Sequence, residues 1–132
     1  MKKNGILNSN IAKVLADLGH TDQLTIGDAG LPVPTGVEKI DLALRLGVPS
    51  FDSVLDTVLE DMAVEKVFLA EEIKEQNPDQ LKKILEALPD GIDVVFISHE
   101  EFKKQTSRSK TIIRTGENTP YANIILQSAV IF

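Results

Sequence analysis

The chain has 132 residues, no cysteine and a formal net charge of −6. Its length suits one domain, residues 1–132, which buries roughly two thirds of the surface that the unfolded chain exposes. Because a net-acidic surface repels phosphate backbones and anionic lipid headgroups, the composition argues against nucleic acid and membranes as partners. The lack of cysteine excludes disulfides, thiolate metal ligands and a cysteine nucleophile, and it is compatible with the reducing cytosol.

The N-terminal segment is not typical of a targeting signal. Met1, Lys2 and Lys3 match the basic start of a signal peptide, but asparagine, glycine and serine interrupt the stretch that would have to be apolar. No apolar run approaches the about 20 residues that cross a membrane as a helix. We therefore expect a soluble, cytoplasmic protein.

The first half of the chain predicts two helices separated by short extended segments. Apolar residues recur at helical spacing from Asn8 to Leu18, with Asn8 or Ser9 as the N-terminal cap and Gly19 suited to the left-handed position after the helix. The elements that follow are a strand at 24–26, a proline-rich loop at 31–36, a weak strand at 40–44 that also fits a helix, and a helix at 51–62.

The second half alternates strand and helix more regularly. Asn77 and Pro78 form a cap and first-turn signature for a helix that runs to Leu88. The other predicted elements are strands at 66–70, 93–97 and 110–114, a short helix from about 98 to 103, a turn at 116–120 and a last strand at about 123–132. Because the central strands are continuously apolar, helices are expected on both faces of the sheet. The pattern predicts an α/β fold, a three-layer α/β/α sandwich with a mixed, mostly parallel sheet of about six strands.

The chain ends on four apolar residues, Ala129 to Phe132. A terminus in water is usually polar and frayed, so something is expected to cover this end. Two explanations remain open. The segment is either the end of a strand inserted in its own sheet or a surface buried against a neighbouring subunit, which would make the protein a homo-oligomer.

Three familiar chemistries do not fit the residues present. The sequence from His99 to Lys103 begins like a zinc-protease helix, but a lysine at the second ligand position repels a cation. The loop at 27–30 follows a strand as a phosphate loop does, yet a proline-rich loop follows it in place of the helix that would attract a pyrophosphate. No Gly-x-Ser-x-Gly sequence supplies a serine nucleophile. Acid and base chemistry remains.

The candidates for that chemistry are His20 after the first helix, Asp28 after the first strand and His99 at a strand-to-helix junction. Imidazole has an unperturbed pKa of about 6.5 and exchanges protons at neutral pH. Lys103 lies one helical turn after His99 and can reach the same ligand. Each residue also has an ordinary structural explanation, namely contact with the last helical carbonyls for His20, turn formation for Asp28, and a solvated loop or surface position for the other two.

The segment Tyr121, Ala122 and Asn123 adds polar groups near the C-terminus. Pro120 fixes the backbone just before a phenol and a carboxamide, which both donate and accept hydrogen bonds as a polyol ligand requires. The alternative for Tyr121, the only tyrosine, is a strand aromatic that packs in the core.

Six segments carry a family resemblance: MKKNGILN at 1–8, LGHTD at 18–22, IGDAGLPVP at 26–34, IDLA at 40–43, RTGE at 114–117 and TPYAN at 119–123. With them, the chain resembles the D-ribose pyranase family, relatives of fucose mutarotase, along essentially its whole length. The resemblance implies that His20 is the proton donor. It also implies that Asp28, His99 and Tyr121 to Asn123 contact the sugar, with Lys103 as a further candidate.

The same resemblance implies D-ribose as the partner and a cytoplasmic homo-oligomer, a decamer, with sites near subunit boundaries and a role beside ribose uptake. The implied reaction interconverts the pyranose and furanose forms of ribose and needs neither cofactor nor metal. A general acid protonates the ring oxygen while a base takes the proton of the anomeric hydroxyl. Two alternatives remain open: a non-catalytic sugar-binding oligomer linked to ribose uptake, and an aldose–ketose isomerase, which would incorporate solvent deuterium at C2.

Overall fold

The computed structural model describes all 132 residues and contains five α-helices and six β-strands. The helices are α1 (Ser9–Asp17), α2 (Phe51–Leu59), α3 (Ile73–Gln76), α4 (Pro78–Ala87) and α5 (His99–Gln105). The strands are β1 (Gln23–Gly27), β2 (Glu38–Asp41), β3 (Val64–Ala70), β4 (Asp93–Ile97), β5 (Ser109–Arg114) and β6 (Ile124–Ser128). A 3₁₀ turn, Thr106–Arg108, joins α5 to β5.

The strands form one mixed sheet in the order β2-β5-β1-β6-β3-β4. β5 pairs in parallel with β1 and β2, and β3 pairs in parallel with β4. β6 is antiparallel to both of its neighbours, β1 and β3. Five strands therefore end at one edge of the sheet, where β6 begins; we call it the carboxyl edge, and the opposite one the amino edge. The predicted mixed, mostly parallel sheet of six strands is confirmed.

Helices cover both faces of the sheet, as the three-layer prediction requires. α1, α2 and α4 pack on one face over a main core of 19 buried residues, whereas α5 and the proline-rich loop cover a second core of four. Neighbouring residues of β6 point to opposite faces, so Ile124 and Leu126 belong to the main core and Ile125 to the second one. No helix of the chain combines the length and apolarity needed to cross a bilayer.

Local signals account for the beginning of α1 but not for its end. The Asn8 side chain accepts a hydrogen bond from the Ile11 N–H at 3.0 Å, which confirms the predicted cap. The helix ends with Leu18 in an extended conformation, so the left-handed turn predicted at Gly19 is wrong. The left-handed residue is Thr21 instead, with φ 69°.

The start of α4 differs from the prediction in one informative way. Pro78 occupies the first helical turn as predicted, but the Asn77 side chain makes no capping hydrogen bond. Its amide Nδ2 donates instead to the Thr119 hydroxyl at 3.0 Å and to the Pro120 carbonyl at 2.8 Å. Asn77 thus holds the turn that leads into β6.

The predicted elements differ from the structure at β2, at the end of α2 and at α3. β2 begins and ends earlier than the predicted strand at 40–44, because its ladder with β5 runs from Glu38 opposite Thr111 to Asp41 opposite Arg114. α2 ends at Leu59, before the predicted end at Met62. Helix α3 was not predicted.

The last strand ends at Ser128, so the prediction that it continues to Phe132 is wrong. Its ladder with β3 closes where Ser128 faces Val64, the first residue of that strand. Beyond this point one more backbone hydrogen bond, from the Ala129 N–H to the Ala63 carbonyl at 2.9 Å, ends the pairing of this segment. Ile131 and Phe132 are 90% and 101% exposed, so the chain's own sheet does not cover them.

Candidate functional site

Asp28 and Asn123 form a reciprocal pair at the carboxyl edge. They meet because Asp28 follows β1 and Asn123 precedes β6, its antiparallel neighbour. The Asp28 backbone N–H donates to Asn123 Oδ1 at 2.8 Å, and Asn123 Nδ2 donates to Asp28 Oδ2 at 3.0 Å. Asp28 Oδ1 also accepts from the Gly30 N–H at 2.9 Å, so the turn-forming role is real as well. Asn123 is 1% exposed, which fixes the direction of a half-buried carboxylate.

The end of β1 leaves space for this pair. A Cβ added to Gly27 would lie 2.6 Å from Leu31 Cδ2 and 3.2 Å from Asn123 Oδ1. The Gly27 carbonyl accepts hydrogen bonds from both the backbone N–H and the hydroxyl of Thr115, at 3.0 and 2.8 Å. Glycine is therefore needed for the close approach of three segments.

His99 and Tyr121 meet beside the pair, with ring centroids 5.1 Å apart and an interplanar angle of 85°. His99 is the first residue of α5, and its backbone N–H donates to both carboxylate oxygens of Glu72 at 3.1 and 2.9 Å. The His99 ring nitrogen Nδ1 is buried and makes no hydrogen bond within the chain. Because buried polar atoms are normally paired, this nitrogen is available to a hydrogen-bonding ligand.

Tyr121 lies in the turn before β6, so the predicted alternative of a strand position is wrong, but its side chain does pack against the main core. Its backbone is left-handed, with φ 57°, and its carbonyl accepts from the Asn123 N–H at 2.9 Å. Ala122, between them, is fully buried in the main core, so only its backbone is near the edge. The left-handed residue thus turns the phenol and the carboxamide toward the same edge.

Lys103 lies one turn along α5 from His99, and its Nζ is 2.7 Å from Glu100 Oε1. The hydrogen bond from Lys103 and its positive charge lower the pKa of the Glu100 carboxyl. The lysine side chain is 34% exposed, less than the other lysine of this helix, Lys104, at 74%. It is therefore partly sheltered beside the His99 end of the helix.

Sequence reasoning missed two residues that support this edge, Glu72 and Arg114. Glu72 holds the start of α5, as described above. Arg114 ends β5; its Nε donates to the Ala29 carbonyl at 2.9 Å, and its Nη1 donates to both carboxylate oxygens of Asp41. A hydrogen bond from the Ala43 N–H, together with Arg114, lowers the pKa of Asp41. Their position in the sequence could have predicted this role, since both residues lie at or just after the carboxyl end of a strand.

His20 lies at the other edge of the sheet. It precedes β1 and Asp28 follows it, and five strand residues at about 3.3 Å each place them roughly 16 Å apart. The His20 Nε2 is 3.0 Å from Glu65 Oε2, at the start of β3, so the predicted alternative of contact with helix carbonyls is wrong. His20 also lines a groove of about 390 Å³ together with the C-terminal tail.

The structure therefore brings Asp28, His99, Tyr121 and Asn123 to one edge and leaves His20 at the opposite edge of the same chain. No group of three or more histidine and carboxylate side chains is arranged to hold a metal ion. An amide, a carboxylate, a phenol and an unpaired imidazole nitrogen suit a ligand rich in hydroxyl groups. Fold and site together define a small α/β protein with a candidate site for a sugar-like molecule.

A family model described as the RbsD / FucU transport protein family matches residues 1–131. The D-ribose pyranases of Streptococcus uberis and of Lactococcus lactis subsp. lactis are each 62% identical to this chain over 130 residues, which is 98% of this chain and 98% of theirs. The chain belongs to the RbsD / FucU transport protein family, and the resemblance seen in its sequence is confirmed.

Solved structures of family members have the same fold as this chain. Bacillus subtilis RbsD complexed with D-ribose is 55% identical, covers 100% of both chains and superposes with a TM-score of 0.97. The fucose mutarotase of Streptococcus pneumoniae in complex with L-fucose is 20% identical over 96% of this chain and 95% of that one, with a TM-score of 0.77. The second structure shows a shared fold.

Proposed function

We propose that this chain catalyses the interconversion of the pyranose and furanose forms of D-ribose, an isomerase reaction of the mutarotase type. The observation that carries the proposal is the 62% identity to D-ribose pyranases over nearly the whole of both chains. The full-length likeness to an RbsD structure with D-ribose bound supports ribose as the ligand. In this proposal residues 1–132 act as one sugar-mutarotase domain.

The reaction requires only proton transfers. As the bond between C1 and the ring oxygen breaks, an acid protonates that oxygen and a base takes the proton of the anomeric hydroxyl, which leaves the open aldehyde. Closure through the C4 hydroxyl, in place of the C5 hydroxyl, reverses both transfers and gives the furanose. A well-placed acid or base accelerates such a step about 10²–10⁴-fold.

The roles follow from the polar groups. His20 is the proton donor, and Asp28, oriented by Asn123, accepts a hydrogen bond from a sugar hydroxyl or takes the proton of the anomeric hydroxyl. Asn123, the Tyr121 phenol and the free Nδ1 of His99 bind the remaining hydroxyls, with the Ala122 backbone and Lys103 at the border of the site. The hydrogen bonds of Asp28 and the unpaired nitrogen of His99 support this division.

His20 reaches this site from a second copy of the chain. Within one chain the two edges are about one strand length apart, which is too far for His20 to touch a sugar bound beside Asp28. A contact that joins the amino edge of one copy to the carboxyl edge of the next brings His20 of the first copy to the sugar beside Asp28 of the second. Because such a contact uses two different surfaces, repeating it gives a ring when the rotation between copies closes and an open filament when it does not.

Exposed apolar side chains at both edges support that contact. Ile131 and Phe132 are exposed next to His20, and at the carboxyl edge the loop after β2 exposes Leu44 and Leu46, by 80% and 74%. Such surfaces usually mark subunit contacts. The family resemblance implies ten copies, so we propose a cytoplasmic homo-oligomer of about 145 kDa for a 14.5 kDa chain. Light scattering measures the mass, and cell fractionation tests the location; a monomeric mass would contradict the shared site.

The activity is tested by saturation-transfer NMR on equilibrated D-ribose. The β-pyranose anomeric proton is irradiated and the β-furanose signal is followed with and without protein. Enzyme-dependent transfer is expected. If ribose binds without transfer, the chain is a non-catalytic sugar-binding oligomer, and solvent deuterium at C2 would instead identify an aldose–ketose isomerase.

The shared site is tested by mixing two inactive variants, His20→Ala and Asp28→Asn. After the oligomers are dissociated and reassembled at equal amounts, random mixing gives about a quarter of the sites a native His20 from one copy and a native Asp28 from its neighbour. Exchange is therefore expected to recover to about a quarter of the native rate. Each variant reassembled alone is the control, and no recovery in the mixture would show that the two residues act within one chain.

A further inference from the structure

A row of hydrogen-bonded side chains supports His20 at the amino edge. The His20 ring contacts Glu65 Oε2, and the other carboxylate oxygen of Glu65 accepts from Gln127 Nε2 at 2.8 Å. Gln127 Oε1 accepts from Gln23 Nε2 at 3.1 Å, and Gln23 Oε1 accepts from Gln105 Nε2 at 3.4 Å. The row crosses β3, β6 and β1 and ends on α5, so it is anchored in the sheet.

This arrangement decides which ring nitrogen of His20 carries the proton in the neutral form. The hydrogen bonds from Gln127 and His20 lower the pKa of Glu65, so its carboxyl is ionised at neutral pH. An ionised carboxylate only accepts hydrogen bonds. The nitrogen that faces it, Nε2, must therefore be the donor, which leaves Nδ1 as the nitrogen free to exchange a proton.

We propose that Glu65 is a positioning residue for the isomerase reaction, which holds the His20 imidazole through Nε2–H and so directs Nδ1 toward the sugar of the neighbouring copy. This inference rests on the proposed function and deepens it. Glu65 itself does not touch the sugar in this arrangement.

The proton balance follows from this geometry. In the imidazolium form, Nδ1–H donates to the ring oxygen as the C1–O bond breaks, and His20 is left as the neutral Nε2–H tautomer. When the ring closes through the other hydroxyl, Nδ1 takes the proton of that hydroxyl, and the imidazolium is restored. The Glu65 carboxylate stays ionised throughout and accepts the hydrogen bond from Nε2–H in both forms of the ring.

The first test is ¹⁵N NMR of the imidazole nitrogens, which needs no activity. The chain has only two histidines, so a His99→Gln sample assigns both rings. At about pH 8.5, where imidazoles are neutral, His20 is expected to be the Nε2–H tautomer. Glu65→Gln and Glu65→Leu both remove a partner that only accepts, since an amide also donates and leucine does neither, so each is expected to give a mixture of tautomers. A His20 ring already in the Nδ1–H form in the native protein would overturn the proposal.

The second test uses exchange rates measured by saturation transfer. Glu65→Gln is expected to lower kcat about tenfold with KM unchanged. Asp61, which lines the same groove as His20, and Lys66, whose charge acts on Glu65, are retained in every variant. Glu86→Gln, which removes a surface carboxylate paired only with Lys82 at 4.0 Å, is the matched control and should leave both kcat and KM unchanged.

A double variant separates positioning from a structural effect. In a His20→Ala background, Glu65→Gln should cause no further loss, because its effect acts through the imidazole. An equal additional loss would contradict the proposal. If the native protein shows no exchange at all, the proposed function fails, while the tautomer measurement still decides the arrangement of His20 and Glu65.

Discussion

The two edges of the sheet hold their polar residues in different ways. At the carboxyl edge, Asp28 and Asn123 bind each other and the backbone, with Asn123 fully buried. At the amino edge, His20 and Glu65 meet on the surface, with side chains 52% and 36% exposed. The difference is that the proposed sugar-binding groups are ordered within each folded chain, whereas the proposed proton donor needs a neighbouring copy to enclose it.

The largest effect is expected from Asn123→Leu, which breaks the ordered edge. The Asp28 N–H loses its buried partner, which costs about 1–3 kcal/mol of stability, and the carboxylate loses its orientation. We expect ribose exchange to disappear, with a lower denaturation midpoint by circular dichroism. Asn118→Ala, at an exposed position in the same loop, is the control and should change neither. Native exchange by Asn123→Leu would remove the pair from the site.

Alanine substitutions at two glycines, one at each edge, compare the packing of the two edges directly. At Gly27 a new Cβ would crowd Leu31 and Asn123, so Gly27→Ala should cost about 1–3 kcal/mol and disturb the site. At Gly19 the nearest atom, Asp22 Oδ2, would lie at an ordinary 3.5 Å, so Gly19→Ala should change stability by less than about 0.5 kcal/mol. Urea unfolding of both variants measures the contrast, and equal losses would show that the two edges are equally crowded.

His20→Ala should separate activity from stability. An exposed side-chain contact such as that of His20 with Glu65 contributes little to folding, so Tm should stay within about 2 °C of the native value while ribose exchange falls about 10²-fold or more. Differential scanning calorimetry on the oligomer at fixed concentration provides the measurement. A large fall in Tm would mean that the amino edge is a structural element and not an open half-site.

The smallest expected effect is the change in the titration midpoint of Glu65 when one of its hydrogen-bond partners is replaced. Its pKa is lowered, first by the hydrogen bond from Gln127 and next by that from His20. A lowered carboxyl pKa adds stability that is present above the ordinary pKa and is lost as the pH falls through the lowered value. Followed by ¹³C NMR, the Glu65 midpoint should rise in both Gln127→Leu and His20→Ala, and more in the first. The reverse order would show that His20 is the stronger partner.

The predictable part of the fold was the part that neighbouring residues determine. Asn8 caps its helix and Pro78 opens another, because both effects act within one helical turn. The boundaries of β2 and β6 were wrong because they depend on the partner strand, which lies far along the chain. The same holds for Asn77, whose side chain binds the turn at 119–120 in place of its own helix.

The candidate site shows the same limit. The sequence pattern placed Asp28 and His99 after strands, and the sheet brings both to one edge. The separation of His20 from them depends on strand direction, and the contact with Glu65 depends on β3 lying two places from β1 in the sheet. Neither the strand direction nor the strand order can be predicted from the residues around His20. Glu65 was therefore missed, although it is the side chain nearest to the proposed donor.

The single antiparallel strand, β6, has a consequence for changes in chain length. Its five residues join Asn123 at one edge to the exposed tail at the other, with alternate side chains in the two cores. Inserting or deleting one residue within it would exchange the two faces and shift both edges at once. The exposed turn at Asp90 and Gly91, between α4 and β4, carries no such coupling and should accept added residues. A reporter or linker is therefore better inserted there than anywhere along the last strand.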